Sequence, residues 1–154
     1  MLTTLRRAQS ENVFVGADGR LLLGDFGVAR IMSSATQYAM TQTGTPWYLS
    51  PEVITEEAYN HKSDMWALGC LLHEMVTLAR PFVGRNFFEL VQRITNVDYA
   101  SLDGRCSENM QFLIGALLLR DPDERPDVSE ILELDFLADA AHKWRAVFAA
   151  QKAK

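Results

Sequence analysis

A carboxylate that follows a short apolar strand is the first group in this sequence whose position suggests chemistry. Asp25 comes two residues after the last leucine of Leu21-Leu22-Leu23, and Phe26 and Gly27 follow it. From a strand end this carboxylate can reach a divalent cation bound to phosphates, since hard cations prefer oxygen ligands. Phe26 is an apolar anchor that can fix the direction of Asp25, and Gly27 permits the backbone angles of a turn. The tripeptide therefore indicates a cation and phosphate site, although alone it also fits a strand end followed by a turn.

Further motifs follow this tripeptide in a defined order. They are a Ser/Thr-rich stretch, Gly44-Thr45-Pro46, Ser50-Pro51-Glu52, Asp64-Met65-Trp66-Ala67-Leu68-Gly69 and Arg125-Pro126. Together they resemble the activation segment and the C-terminal lobe of protein kinases, with Ser50 where the family has alanine. The resemblance covers roughly residues 11 to 134, and the activation segment would be residues 25–52. Within the family, the stretches at 45–52 and 62–70 are most similar to the NIMA-related (NEK) group.

The resemblance implies a mainly α-helical fold with a small β-hairpin, that is, part of a protein-kinase-like C-lobe. We expect a divergent N-terminal segment at 1–10, a partial kinase domain at 11–134 and a C-terminal helix at 135–154. Patterning supports this: Val13 to Val15 and Leu21 to Leu23 flank an Asp-Gly turn, a strong hairpin signal. Apolar residues cover more than one face of Ser63 to Leu78, which predicts a buried central helix. Other helical segments are predicted at 51–55, 86–95, 107–119, 127–134 and 135–150, with caps at Ser107 and at the capping-box pair Asp127 and Glu130.

The composition limits the possible functions. The 154 residues carry a formal net charge of −5, which disfavours attraction to nucleic acid or to an anionic membrane. No apolar run reaches the roughly 18 residues of a membrane span. Cys70 and Cys106 have no metal-binding spacing, and we interpret both thiols as structural. We expect a cytoplasmic protein whose partners are a protein substrate or a kinase-related protein; the resemblance adds association with the cytoskeleton as an alternative.

The resemblance assigns a nucleotide and metal site. Asn12 corresponds to the asparagine of the kinase catalytic loop, and with Asp25 it would hold Mg²⁺ ions that bridge the phosphates of ATP. Phe14 would lie on the floor of the adenine pocket, so Phe14 and Asp25 are the implied nucleotide-binding residues. ATP and Mg²⁺ are therefore the implied cofactors, and whether this chain binds them alone is open. Read without the resemblance, Asn12 is an ordinary turn residue.

The resemblance also assigns regulatory roles. Thr41 and Thr43 lie where activating phosphorylation occurs, and a phosphate there would pair with Arg6. Thr45 marks the serine/threonine branch, in which this residue supports the catalytic loop. For most hydroxyls of this stretch, a solvated loop position is the alternative interpretation.

Three further residues have implied structural roles. Glu52 and Arg125 resemble the buried ion pair that ties the activation segment to the C-lobe. Asp64 would accept hydrogen bonds from main-chain N–H groups of the catalytic loop.

The resemblance fails before Glu11. The family has His-Arg-Asp-Leu-Lys-x-x-Asn, whereas this chain reads Leu-Arg-Arg-Ala-Gln-Ser-Glu-Asn at 5–12. Arg7 occupies the position of the catalytic aspartate and Gln9 that of the phosphate-binding lysine. A guanidinium stays protonated and cannot act as a general base. A glycine-rich loop, a strand lysine in a Val-Ala-Ile-Lys setting and a glutamate-bearing helix are also missing.

Two hypotheses follow. In the first, the chain is a truncated C-lobe of a serine/threonine kinase and is inactive alone. In the second, it is a non-catalytic, pseudokinase-like interaction module. In either case the helix that precedes the kinase catalytic loop does not fit before residue 5, so we expect an exposed apolar patch among Leu68, Leu71, Leu72 and Met75.

Overall fold

The computed structural model of this protein describes residues 13–17, 20–23, 46–55, 57 and 60–152. Two short strands, β1 (Val13–Val15) and β2 (Leu21–Leu23), pair antiparallel with Phe14 opposite Leu22. The helices are α1 (Pro51–Ile54), α2 (His61–Thr77), α3 (Phe87–Asn96), α4 (Glu108–Leu117), α5 (Val128–Leu132) and α6 (Asp135–Lys152). Short 3-10 turns form at Pro46–Tyr48 and Pro122–Glu124. The predicted fold class, mainly α-helical with one small hairpin, is confirmed.

Polar residues at the helix starts determine where the helices begin. The Asn60 side chain accepts a hydrogen bond from the Lys62 N–H and, with Ser63, forms a capping box, so α2 starts two residues earlier than the apolar pattern predicted. The predicted Ser107 cap is confirmed by a bond from the Met110 N–H at 3.3 Å. The predicted capping box before α5 is also confirmed, and its side chains bond the opposite main-chain N–H groups. Each cap satisfies donors that the helix cannot satisfy itself.

Helix α2 is the centre of the described part of the chain. On one side lies a cluster that includes Trp66, Cys70, Phe82 and Ile114. A second cluster joins Met65 to residues of α4 and α5. Gly69 permits the close approach of α2 and α4, because a Cβ at this position would lie 2.9 Å from the Cβ of Leu117. The two clusters explain why the apolar residues of α2 cover more than one face.

The predicted apolar patch on α2 is smaller than expected. Met75 is 54% exposed, in agreement with the prediction. Leu71, however, is buried, and Leu68 and Leu72 are half-buried against the second cluster. Residues of α4 and α5 in the second cluster therefore cover Leu68 and Leu72, which were expected to be open.

The last helix, α6, packs against the rest of the described chain through its first half. Ala141 is buried and Leu137 packs against the second cluster, whereas Trp144 is about half exposed. In the part of the chain that the structure describes, no helix is both long and apolar enough to cross a membrane.

Candidate functional site

The site is the described end of the predicted activation segment, residues 46–52, together with the rest of α1, where the chain lies against α2. The backbone turns twice in this stretch, first in the 3-10 turn and then in α1, which begins with Pro51 at a position where its missing N–H is not needed. These turns direct Glu52 inward and leave Trp47 half-buried near the surface. The segment is held by contacts at Glu52, Tyr48 and Trp47.

The strongest contact is a buried ion pair. Nη1 of Arg125 donates to Oε1 of Glu52 at 2.8 Å, and Nη2 donates to Oε2 at 2.8 Å. Both side chains are buried. Two parallel hydrogen bonds between a guanidinium and a carboxylate fix orientation as well as charge. The structure thus brings together the two residues that the resemblance paired, 73 positions apart in the chain.

Arg125 has a partner for every N–H group. Besides the carboxylate, Nε donates to the carbonyl oxygen of Leu119 at 2.7 Å, Nη2 to that of Arg120 at 3.1 Å, and Nη1 to that of Lys62 at 3.0 Å. Five donors are the full capacity of a guanidinium. The guanidinium carbon also lies 5.0 Å from the ring centre of Trp66. The desolvation cost of a buried cation is therefore offset by complete hydrogen bonding.

The carboxylate of Glu52 stays ionised in this surrounding. Burial raises its pKa, but the hydrogen bonds from Arg125 and from the hydroxyl of Ser63 lower it by more, so the pKa lies below its ordinary value. The Ser63 hydroxyl donates to Oε1 at 2.7 Å. A pair that is charged and fully bonded at neutral pH has no proton to exchange there, so its role is to hold the segment in place.

The other two contacts involve aromatic residues of the 3-10 turn. The Tyr48 hydroxyl donates to Oε2 of Glu74 on α2. The Arg80 guanidinium lies over the Trp47 ring, 4.7 Å from its centre. Sequence reasoning did not identify Tyr48, Glu74 or Arg80, because their partners lie far away along the chain. The aromatic pair after Gly-Thr-Pro was the available signal.

The remaining residues of the predicted site divide into described and undescribed positions. Phe14, the expected floor of the adenine pocket, is 55% exposed on the hairpin. Asp64 is buried in the first turn of α2, while the loop that it was expected to bind lies outside the described residues. The others also lie outside them: Arg7, Asn12, Asp25, Thr41, Thr43 and Thr45. Within the described ranges, no group of three His, Cys, Asp or Glu residues could hold a metal ion.

Comparisons with known proteins agree with the resemblance. A sequence-family match to the protein kinase domain covers residues 8–137. The chain is 41% identical to the serine/threonine-protein kinase Nek1 of Mus musculus over 90% of its length and 12% of that protein. It is 43% identical to the probable serine/threonine-protein kinase nek3 of Dictyostelium discoideum, over 86% of this chain and 12% of the relative. It is 37% identical to the G2-specific protein kinase nimA of Emericella nidulans, over 99% of this chain and 24% of the relative. The chain thus spans a quarter or less of these relatives.

Proposed function

Because this chain belongs to the protein kinase domain family and resembles NIMA-related serine/threonine kinases, we propose that it supplies the substrate-side part of such a kinase. Enzymes of this class transfer the γ-phosphate of ATP to a Ser or Thr hydroxyl of a protein. The observation that carries the proposal is the Glu52–Arg125 pair, which holds the end of the proposed activation segment on the helical lobe. A segment held in this way can present a protein substrate in a constant orientation.

The proposed nucleotide and metal residues are those of the resemblance. Asn12 and Asp25 supply amide and carboxylate oxygens, a donor set that suits Mg²⁺, and the ion would neutralise phosphate charge when bound. Phe14 and Asp25 are the proposed contacts to ATP. Thr41 and Thr43 are the proposed phosphorylation sites, with Arg6 as the partner for the phosphate. A cytoplasmic location completes the proposal.

We further propose that residues 1–154 do not transfer phosphate alone. Arg7 stands where a kinase has its general base, and an arginine cannot accept a proton at neutral pH. Gln9 stands where the family has a phosphate-binding lysine, so the phosphate contact of that lysine is also missing. These two substitutions remove the general base and the lysine contact together.

An assay with radiolabelled ATP and a mixture of protein substrates tests this proposal. We expect incorporation by the purified chain to equal that of Asp25→Ala. Transfer that disappears in Asp25→Ala would contradict the inactivity, while leaving the family assignment intact. A second variant, Arg7→Asp, tests whether the missing general base is the only cause of the inactivity. We expect no activity from it, because Gln9 remains.

The second candidate function is a non-catalytic interaction module. The intact Glu52–Arg125 contact, in a sequence that has Arg7 at the position of the catalytic aspartate, favours it. Such a module would compete with an active relative for protein substrates. The test is to add the chain to a working NIMA-related kinase and measure phosphorylation of a protein substrate. Inhibition by the unchanged chain but not by Arg125→Ala supports competition. Equal rates with and without the chain would exclude it.

A further inference from the structure

We propose that Arg80 is a positioning residue that sets the place of Trp47, and with it the surface of residues 47–49, for binding of a protein substrate. This inference rests on the proposed function. Its geometric basis is independent of catalysis: the Arg80 guanidinium lies 4.7 Å from the ring centre of Trp47. Both side chains are half-buried, so the contact is close to the surface. A cation over an indole face is the most favourable of the cation–π arrangements.

The backbone on the N-terminal side of Arg80 is firmly held. Leu78 ends α2 in the left-handed region with a φ of 57°, which is costly for a branched side chain, and its N–H bonds the Glu74 carbonyl oxygen at 2.8 Å. The hydroxyl of Thr77 donates to the Ala79 carbonyl oxygen at 2.8 Å and accepts from the Ala79 N–H at 3.2 Å. Nδ1 of the buried His73 lies 3.2 Å from the same carbonyl oxygen. Strain of this kind persists only where the surroundings hold the chain in place.

The C-terminal side of Arg80 is held by the same group of residues that holds Glu52. Phe82 is fully buried and stacks on Trp66, with ring centres 5.4 Å apart and planes at 6°. Trp66 also contacts the Arg125 guanidinium, which binds Glu52. Arg80 therefore projects from a short stretch of backbone whose two ends are fixed relative to α2.

In this arrangement we expect the position of Trp47 to depend on Arg80 rather than on the buried Glu52–Arg125 pair. Glu52 and Tyr48 hold their parts of the segment through a buried ion pair and a hydrogen bond to α2. Trp47 packs against the first core cluster and has the Arg80 guanidinium over its ring. The half-buried indole is part of the surface that a substrate would meet. Loss of Arg80 should therefore loosen residues 47–49 and leave the core intact.

Fluorine NMR of the 154-residue chain labelled with 5-fluorotryptophan tests this inference. The sequence has three tryptophans, at 47, 66 and 144, so each resonance can be assigned by single substitution. We expect Arg80→Ala to shift the Trp47 resonance and leave those of Trp66 and Trp144 in place. Amide exchange at Trp47–Leu49 should become about two- to fivefold faster, the loss of one partly exposed cation–π contact. Arg80→Lys should restore part of the protection, since an ammonium keeps the charge but not the planar stacking.

A double-substitution comparison completes the test. In a Trp47→Leu background, Arg80→Ala should no longer change exchange at residues 47–49. The inference is overturned if Arg80→Ala leaves the Trp47 resonance unmoved, or if it accelerates exchange equally in the Trp47→Leu chain. It is also overturned if both Arg80→Ala and Arg80→Gln move the Trp66 resonance, since Arg80 would then support the core. None of these readouts depends on phosphoryl transfer, so failure here is distinct from failure of the proposed function.

Discussion

Lys62 and Arg125 each donate a hydrogen bond to the main-chain carbonyl oxygen of the other, Lys62 through Nζ and Arg125 through Nη1. This exchange joins the first turn of α2 to the loop that precedes α5. It places the Arg125 guanidinium where both carboxylate oxygens of Glu52 can be reached. Three distant parts of the chain, namely α1, the start of α2 and the loop at residue 125, therefore meet at one buried cation.

Arg125→Ala should reduce the free energy of unfolding far more than Arg145→Ala. Removal of Arg125 leaves the Glu52 charge buried without its partner, at a cost of roughly 3–5 kcal/mol. Arg145 is exposed on α6, where a substitution changes stability by about 0.5 kcal/mol or less. Urea unfolding midpoints of the two variants and the unchanged chain measure the difference. Equal midpoints for both variants would show that the pair does not stabilise the fold.

The contribution of Glu52 should depend on pH. Because the folded protein lowers the pKa of Glu52, this residue stabilises the fold above its unfolded pKa, and the effect is lost as pH falls through the lower folded value. Glu52→Gln should therefore be clearly less stable than the unchanged chain at pH 7, with a smaller difference at pH 3. Urea midpoints at both pH values measure this, with Glu57→Gln as a control at an exposed position. A difference in urea midpoint between Glu52→Gln and the unchanged chain that is equal or larger at pH 3 would contradict the prediction.

Gly69→Ala and Gly115→Ala should have opposite effects, although both replace a helical glycine. A Cβ at Gly69 would lie 2.9 Å from atoms of Leu117 and Leu118, so overpacking should cost about 1–3 kcal/mol. A Cβ at Gly115 would lie 3.8 Å from the Tyr99 hydroxyl, an ordinary contact. There the better helix propensity of alanine should stabilise the chain by up to about 1 kcal/mol. Thermal unfolding of the pair provides the measurement, and a destabilised Gly115→Ala would show that α4 tolerates no added volume.

Asn60→Ala should destabilise the chain by about 0.5–2 kcal/mol, the usual effect of losing an N-terminal helix cap. Asn96→Ala provides the matched control, since Asn96 is an exposed asparagine in the last turn of α3. Amide exchange in the first turn of α2 should rise in Asn60→Ala and not in Asn96→Ala. If the two variants behaved alike, the capping box at Asn60 would have no energetic role.

Local structure could be predicted from the sequence because its causes lie within a few residues. The Asp-Gly turn between two apolar triplets indicated the hairpin, and Ser107 and Asp127 indicated helix starts through hydrogen bonds that span only three residues. Glu52 and Arg125 could also be paired from sequence, but only because their surrounding motifs resemble those of a known family.

The tertiary structure alone decided the contacts of Trp47 with Arg80 and Tyr48 with Glu74, as well as the burial of Leu71. Each depends on how α2 packs against segments distant in the chain, and neither apolar periodicity nor capping chemistry contains that information. Leu71 was expected to be exposed because the helix that precedes the kinase catalytic loop does not fit before residue 5, but the structure buries it. The sequence by itself therefore determined the helices, the hairpin and the family, whereas the tertiary structure decided the contacts of Trp47 and Tyr48. The physical reason is the separation of the partners along the chain. Main-chain hydrogen bonds within helices and caps act between near neighbours, but burial and aromatic contacts arise only when separate elements meet.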